Sequence, residues 1–175
     1  MTGISHVAPI LGIALLSLTA CDSGPAVHAA TDAQAPSDAV YINRASTSGL
    51  EEATFARLAE TKATNPAVRS FAASLIADLK PLNQQLAALI QSRGMTPPTD
   101  MDQRHAMAYQ QLQSQNGPAF DRAYLDGQLQ ELTMVIQAFQ AEADSGKDPP
   151  VRALAQQNVP VLFQHLRAAS VIAGL

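Results

Sequence analysis

The chain has one cysteine, no tryptophan and few aromatic residues, which make up only 5% of its 175 positions. A single cysteine excludes an internal disulfide framework and any zinc site built on several thiolates. Charge is sparse as well, at 15%, and 11 Lys and Arg stand against 15 Asp and Glu for a formal net charge of −4. That balance gives no broad basic field, so nucleic acid is excluded as an expected partner. There is no phosphate-cradling glycine loop, no Gly-x-Ser-x-Gly elbow and no His-Glu-x-x-His. No catalytic residue is therefore assigned, and the chain reads as non-enzymatic. What is present is 47% hydrophobic content over a length that suits one domain with a single modest core.

Part of that apolar content lies at the N-terminus. Residues 7–18 carry no charge, yet the run is shorter than the ~20 apolar residues a spanning helix needs and suits an export signal. It ends at Leu18-Thr19-Ala20-Cys21. This resembles the lipobox of bacterial lipoproteins, in which small residues admit the peptidase and the cysteine becomes the first mature residue. The resemblance implies residues 1–20 as a signal peptide and Cys21 as the lipid attachment point. It also implies a periplasm-facing protein held on the inner or outer membrane, with the covalent lipid as its only expected non-protein group. An ordinary secretory signal with a chance cysteine is the alternative. The segment before the run, Met1-Thr2-Gly3-Ile4-Ser5-His6, departs from the usual pattern by lacking Lys and Arg. Residues 21–36 are rich in Ala, Ser, Asp and Pro without periodicity, which reads as a flexible tether with a span of roughly 20 Å. His28 falls in this tether and is expected to be solvated.

From residue 37 onward the punctuation is helical. Ser37 is placed to cap a helix over 38–64, Asn65-Pro66 to open one over 66–93, and Asp148-Pro149 to open the last. Thr99 with Asp102 three residues on resembles a capping box, and Gly94 and Gly146 fit helix stops. Steps of three and four place Val68, Phe71, Ala72, Leu75, Leu79, Leu82, Leu86 and Leu89 on one stripe of the second helix. Leu125, Leu129, Leu132, Ile136 and Phe139 do the same for a helix over 118–145. A weaker stripe of Val151, Ala155, Leu162, Ala169 and Ile172 includes His165. The first helix is least decisive, with Tyr41, Ala45, Ser48, Glu52, Phe55 and Ala59 as one seam. Pro81 and Pro160 lie inside their helices and should bend them. No segment alternates as a strand does.

An internal echo supports two copies of one helical hairpin. Asn65-Pro66-Ala67-Val68-Arg69-Ser70-Phe71-Ala72 is matched by Asp148-Pro149-Pro150-Val151-Arg152-Ala153-Leu154-Ala155, and upstream Phe55 with Ala59 parallels Phe139 with Ala143. Residues 95–117 join the pairs, with room for a short helix over 100–113. Two antiparallel pairs joined by one long crossover form a ferritin-like four-helix bundle, so residues 37–175 are expected to be all-α.

Further residues carry a family resemblance. Gly49-Leu50-Glu51-Glu52, Leu58-Ala59, Val68–Ala72 as quoted, Ile76-Ala77-Asp78 and Asn83-Gln84-Gln85-Leu86 resemble the first half of the bacterial envelope family called domain of unknown function 4142. Phe120-Asp121-Arg122-Ala123-Tyr124-Leu125, Gln128-Leu129, Ile136, Phe139, Ala143, Asp148-Pro149 and Pro160 with His165-Leu166 resemble its second half. The resemblance implies an exported or lipid-anchored ferritin-like bundle. It also implies a metal-site pattern: a glutamate on the first helix, Asp-His on the second, an acid-His pair on the third long helix and a histidine on the last. This sequence keeps Glu52, Asp78, Glu131 and His165 but has Leu79 and Leu132 at the two intervening histidine positions.

Two lost imidazoles leave too few donors for an ordinary transition-metal site. No metal is expected, and Glu52 and His165, the remaining weak candidates, are expected to pair with each other by a buried hydrogen bond that would raise the imidazole pKa. His105, on the polar crossover, is expected to be solvent-exposed. The leading reading is a membrane-tethered, non-catalytic bundle that binds an envelope protein or small ligand, in a scaffold or stress-related role. The alternatives are a ferritin-like metal-binding or oxidoreductase protein with an altered site around Glu52 and His165, and a small-molecule binder using the interior near Pro81 and Pro160.

Overall fold

The computed structural model describes residues 37–175, and the expected signal peptide, Cys21 and the tether lie outside the described residues. Five helices follow in order: α1 (Asp38–Lys62), α2 (Pro66–Ser92), α3 (Gln103–Ser114), α4 (Gly117–Ser145) and α5 (Pro149–Ala173). There is no strand among the described residues. Helices α1 and α2 form one antiparallel hairpin and α4 and α5 the other, α1 packs on α4 and α2 on α5, and α3 lies across α1 and α4. The expected all-α bundle of two hairpins joined by a crossover is what the chain forms, with the crossover helix shifted to Gln103–Ser114. No described helix is long and apolar enough to cross a membrane.

The stripes of α2, α4 and α5 become the core. Val68, Leu75, Leu86, Phe139, Val151 and Ala155 are all buried, as are Leu79 and Leu132, where the resemblance implied histidines. Leu89, Leu129 and Ile172 lie at its margin, and Ile90 takes the inward place next to Leu89. Helix α1 buries small residues: Ala45, Ala53, Ala56 and Ala59 with Gly49, while Phe55 packs at the edge. Small apolar side chains generate little periodic contrast, which is why this seam was the least legible. Gly49 marks the closest approach of α1 to α2. A Cβ there would lie 2.1 Å from Asn83 Oδ1, whose amide donates to the Gly49 carbonyl at 3.0 Å. Pro81 and Pro160 both face solvent, where the missing backbone donor costs least.

Several caps differ from expectation. Asn65 accepts from Ala67 N–H at 2.9 Å as its position suggested. Ser37 and Asp148 make no side-chain cap bond; Asp148 instead pairs with Arg93. Asp102, not Thr99, caps α3, accepting from His105 N–H at 2.8 Å, while Thr99 donates to Asp100.

The two hairpins correspond at a constant spacing of 83 residues: Asp38 with Asp121, Tyr41 with Tyr124, Asn65 with Asp148, Arg69 with Arg152. The upstream echo of Phe55 with Phe139 is therefore one residue out of register, and the true counterpart of Phe139 is Ala56. The equivalence is physical. Arg69 donates to Ala63 O at 2.7 Å and Arg152 to Gly146 O at 3.0 Å, each closing the preceding helix of its own hairpin. Asp121, at the start of α4, accepts from Thr64 N–H (3.0 Å), Thr64 Oγ1 (2.6 Å) and Asn65 N–H (2.8 Å) in the α1–α2 turn. Asp38, at the start of α1, accepts from Lys147 N–H at 2.9 Å in the α4–α5 turn. Each hairpin thus closes the turn of the other.

Candidate metal centre at the start of the crossover helix

Consecutive residues on a helix point about 100° apart, so the doublet Glu51-Glu52 serves two different places. Both carboxylates are buried, at 2% and 8% exposure. Glu51 turns toward the start of α3, where its Oε1 accepts from Asp102 N–H at 3.0 Å. Asp102, held as the helix cap, and His105, one turn on, face the same oxygen. His105 Nδ1 is 2.9 Å from Glu51 Oε1 and 3.0 Å from Asp102 Oδ1. It is aligned with neither for an N–H···O bond. From α4, Glu131 comes within 3.5 Å of His105 Nε2 and 3.7 Å of Arg104. Arg104 Nη2 is 2.9 Å from the same ring nitrogen. A guanidinium only donates, so this contact sets Nε2 as acceptor and puts the ring proton on Nδ1.

Burial raises the Glu51 carboxyl above its ordinary value, against the opposing pull of the Asp102 N–H and His105. Asp102 is lowered, first by the His105 backbone N–H. One ligand atom from each of Glu51, Asp102 and His105 lies within 4.8 Å of the others, a spacing at which one ion could touch all three. The expectation of a solvent-exposed His105 is corrected: its side chain is 12% exposed, because the cap at Asp102 turns it into the space between α1 and α4. The legible signal was the Asp102-x-x-His105 spacing of a helix cap, which places a side chain from the first turn beside the capping carboxylate.

This cluster separates two cavities. One, of about 510 Å³, runs between α1 and α4 past Tyr41, Val135, Phe139 and Glu142. The other, of about 370 Å³, lies beneath α3. Burial pushes Glu142 up to about 7, reinforced by Asp38.

The two retained candidates, Glu52 and His165, do not meet. Glu52 Oε2 accepts from Gln128 Nε2 at 2.8 Å, inside the bundle. Its carboxyl is pushed up to about 7 by burial, with Gln128 opposing. His165 on α5 faces α2, where its Nε2 is 3.0 Å from Asp78 Oδ2 and its ring meets Phe71 edge-on at 6.0 Å. Burial lowers the His165 pKa and Asp78 counteracts it, so the expected rise is replaced by a fall. Gln128 and Asp78 each offered a nearer partner. With Leu79 and Leu132 in the core, Glu52, Asp78 and His165 do not gather at one point and do not fit a shared ion.

The family model described as Domain of unknown function (DUF4142) matches residues 23–172. The chain belongs to that family. No curated protein matches it. Among solved structures it is similar to "CopM in the Cu(II)-bound form", with a TM-score of 0.68 and 16% identity over 79% of this chain and 97% of that one. At that identity the likeness concerns the fold, an all-α bundle.

Proposed function

We propose that this member of the DUF4142 family is a membrane-tethered, non-catalytic helical bundle of the bacterial envelope that holds a divalent transition-metal ion through Glu51, Asp102 and His105. The observation that carries the reading is the convergence of one imidazole and two carboxylates from α1 and α3, with ligand atoms within 4.8 Å of one another. A ring nitrogen close to two carboxylate oxygens but aligned with neither is a donor group that an ion would satisfy better than a hydrogen bond does. Binding needs the ring proton moved from Nδ1 to Nε2, which requires Arg104 to leave that nitrogen and lets Glu131 accept the Nε2–H hydrogen bond, the usual second partner of a ligating imidazole. The similar bundle CopM is one solved with Cu(II). For this chain the choice of ion rests on its donors, and a mixed nitrogen and oxygen set favours Cu(II) over other divalent first-row ions.

The test is a titration of the full chain in detergent, stripped with chelator, with Cu(II) and Zn(II) followed by calorimetry and electron paramagnetic resonance. One equivalent of Cu(II) with a single-imidazole signature is expected. His105→Ala and Glu51→Gln should each weaken binding about 10- to 100-fold. Absence of stoichiometric metal, or loss of it with His165→Ala and retention with His105→Ala, would overturn the assignment.

A further inference from the structure

The cavity beneath α3 has a different chemistry from the His105 cluster on its wall. Its floor is formed by Glu52 of α1 and by Tyr124 and Gln128 of α4, its sides by Phe55 and by Leu112 of α3. The floor is polar and incompletely paired. Gln128 Nε2 donates to Glu52 Oε2, which leaves the Gln128 Oε1 acceptor without a donor, and the Tyr124 hydroxyl also has no partner. These are among the most enclosed polar groups of the described residues: Gln128 is 2% exposed and Tyr124 1%. Unpaired polar atoms at that depth are costly, so a ligand that satisfies them gains affinity from groups already in position.

The unmet demand is for hydrogen-bond donors. A carboxylate and an amide oxygen accept, and the hydroxyl can do either. Asp126, Glu131 and Arg104 also line the cavity, and Arg104 lies beside Glu131, so with Glu52 the acidic groups outnumber the one guanidinium and disfavour an anion. Phe55 and Leu112 offer apolar surface for a short hydrocarbon body. At the equivalent place in the other half, 83 residues away, Glu52 and Gln128 are replaced by Val135 and Ala45. The polar floor is thus particular to one of two matching grooves and is not a requirement of the bundle.

We propose that this cavity binds a small organic ammonium ion, its N–H groups donating to Glu52 and Gln128 Oε1 and its alkyl body lying against Phe55 and Leu112. The two sites share a wall at His105 and Glu131, but Glu52 and Gln128, which would hold the ammonium, are not among the proposed metal ligands.

The experiment uses the full chain in detergent, treated with chelator, and titrates n-butylammonium against n-butanol, butyrate and Mg2+ by NMR at pH 8, where Glu52 is ionised. Butylammonium should saturate with a Kd on the order of 1 mM or tighter and shift the Tyr124 and Gln128 signals. Butanol should bind at least about tenfold more weakly, for want of a charge-assisted hydrogen bond, and butyrate should not saturate. Glu52→Gln should weaken butylammonium about tenfold or more. Tyr124→Phe, which keeps the ring and its packing, should weaken it by a factor of about 3–10. Both variants should keep the parent's Cu(II) titration, which separates this site from the metal reading. Equal affinity for butanol and butylammonium, shifts produced by Mg2+ in place of the amine, no saturation, or indifference to both substitutions would each overturn the proposal.

Discussion

At the level of single residues, two buried acids next to each other in sequence have separate lives. Glu51 is drawn to the start of α3 by the Asp102 N–H, and Glu52 to Gln128. The sign of the Glu52 effect on stability follows from its raised value. Between its ordinary 4.5 and about 7 the folded protein holds a proton that the unfolded chain releases. Stability therefore falls as pH rises through that window, by an amount on the order of 3 kcal/mol for this group, and Glu142 contributes in the same direction. Glu52→Gln should flatten that fall, equalling the parent near pH 5 and exceeding it near pH 8 in urea unfolding. An unchanged slope would show that Glu52 stays ionised in the folded protein. Glu52 and His165 stood out in the sequence because the family resemblance implies a site there and both lie on inward seams, and both are buried. Their partners were not legible. Asp78 and Gln128 each lie on a long helix facing the candidate, and a stripe gives the face of a residue without its height along the bundle.

At the level of elements, the helices and their hydrophobic faces could be read because leucine and phenylalanine recur every three or four residues. Helix α1 was less distinct because alanine and glycine fill its inward positions. Helix caps were read less well, since turns here are closed from a distance by Asp121 and Asp38. These two aspartates are equivalents with unequal work. Asp121 accepts three hydrogen bonds from the α1–α2 turn, and Asp38 one assigned bond, from Lys147. Asp121→Ala would leave two backbone N–H groups and a hydroxyl unmatched and should destabilise the protein by about 2–4 kcal/mol. Asp38→Ala should cost no more than about 1 kcal/mol, because the Lys147 N–H is exposed and water can replace the acceptor. Chemical denaturation of the two variants side by side measures the contrast. Equal losses would mean that the 83-residue correspondence is one of shape only.

At the level of the whole molecule, the bundle follows from two hairpins and a crossover, whereas the His105 cluster depends on where the crossover helix lands. Nothing in the periodicity of residues 95–117 encodes that position. The proposed membrane attachment depends on Cys21: Cys21→Ala should move the protein from the membrane fraction to the soluble fraction, and continued sedimentation with membranes would refute lipid anchoring. The mutual closure of the two turns has a further consequence. A hairpin able to close the turn of a near-copy of itself has what it needs to pair with an identical hairpin. Such a pair would be a symmetric homodimer with two matching grooves. Joining the hairpins in one chain breaks that symmetry, because a single connector cannot meet both grooves in the same way. Its leading segment, from Thr96 to His105, borders one groove and the body of α3 covers the other, so each is free to diverge.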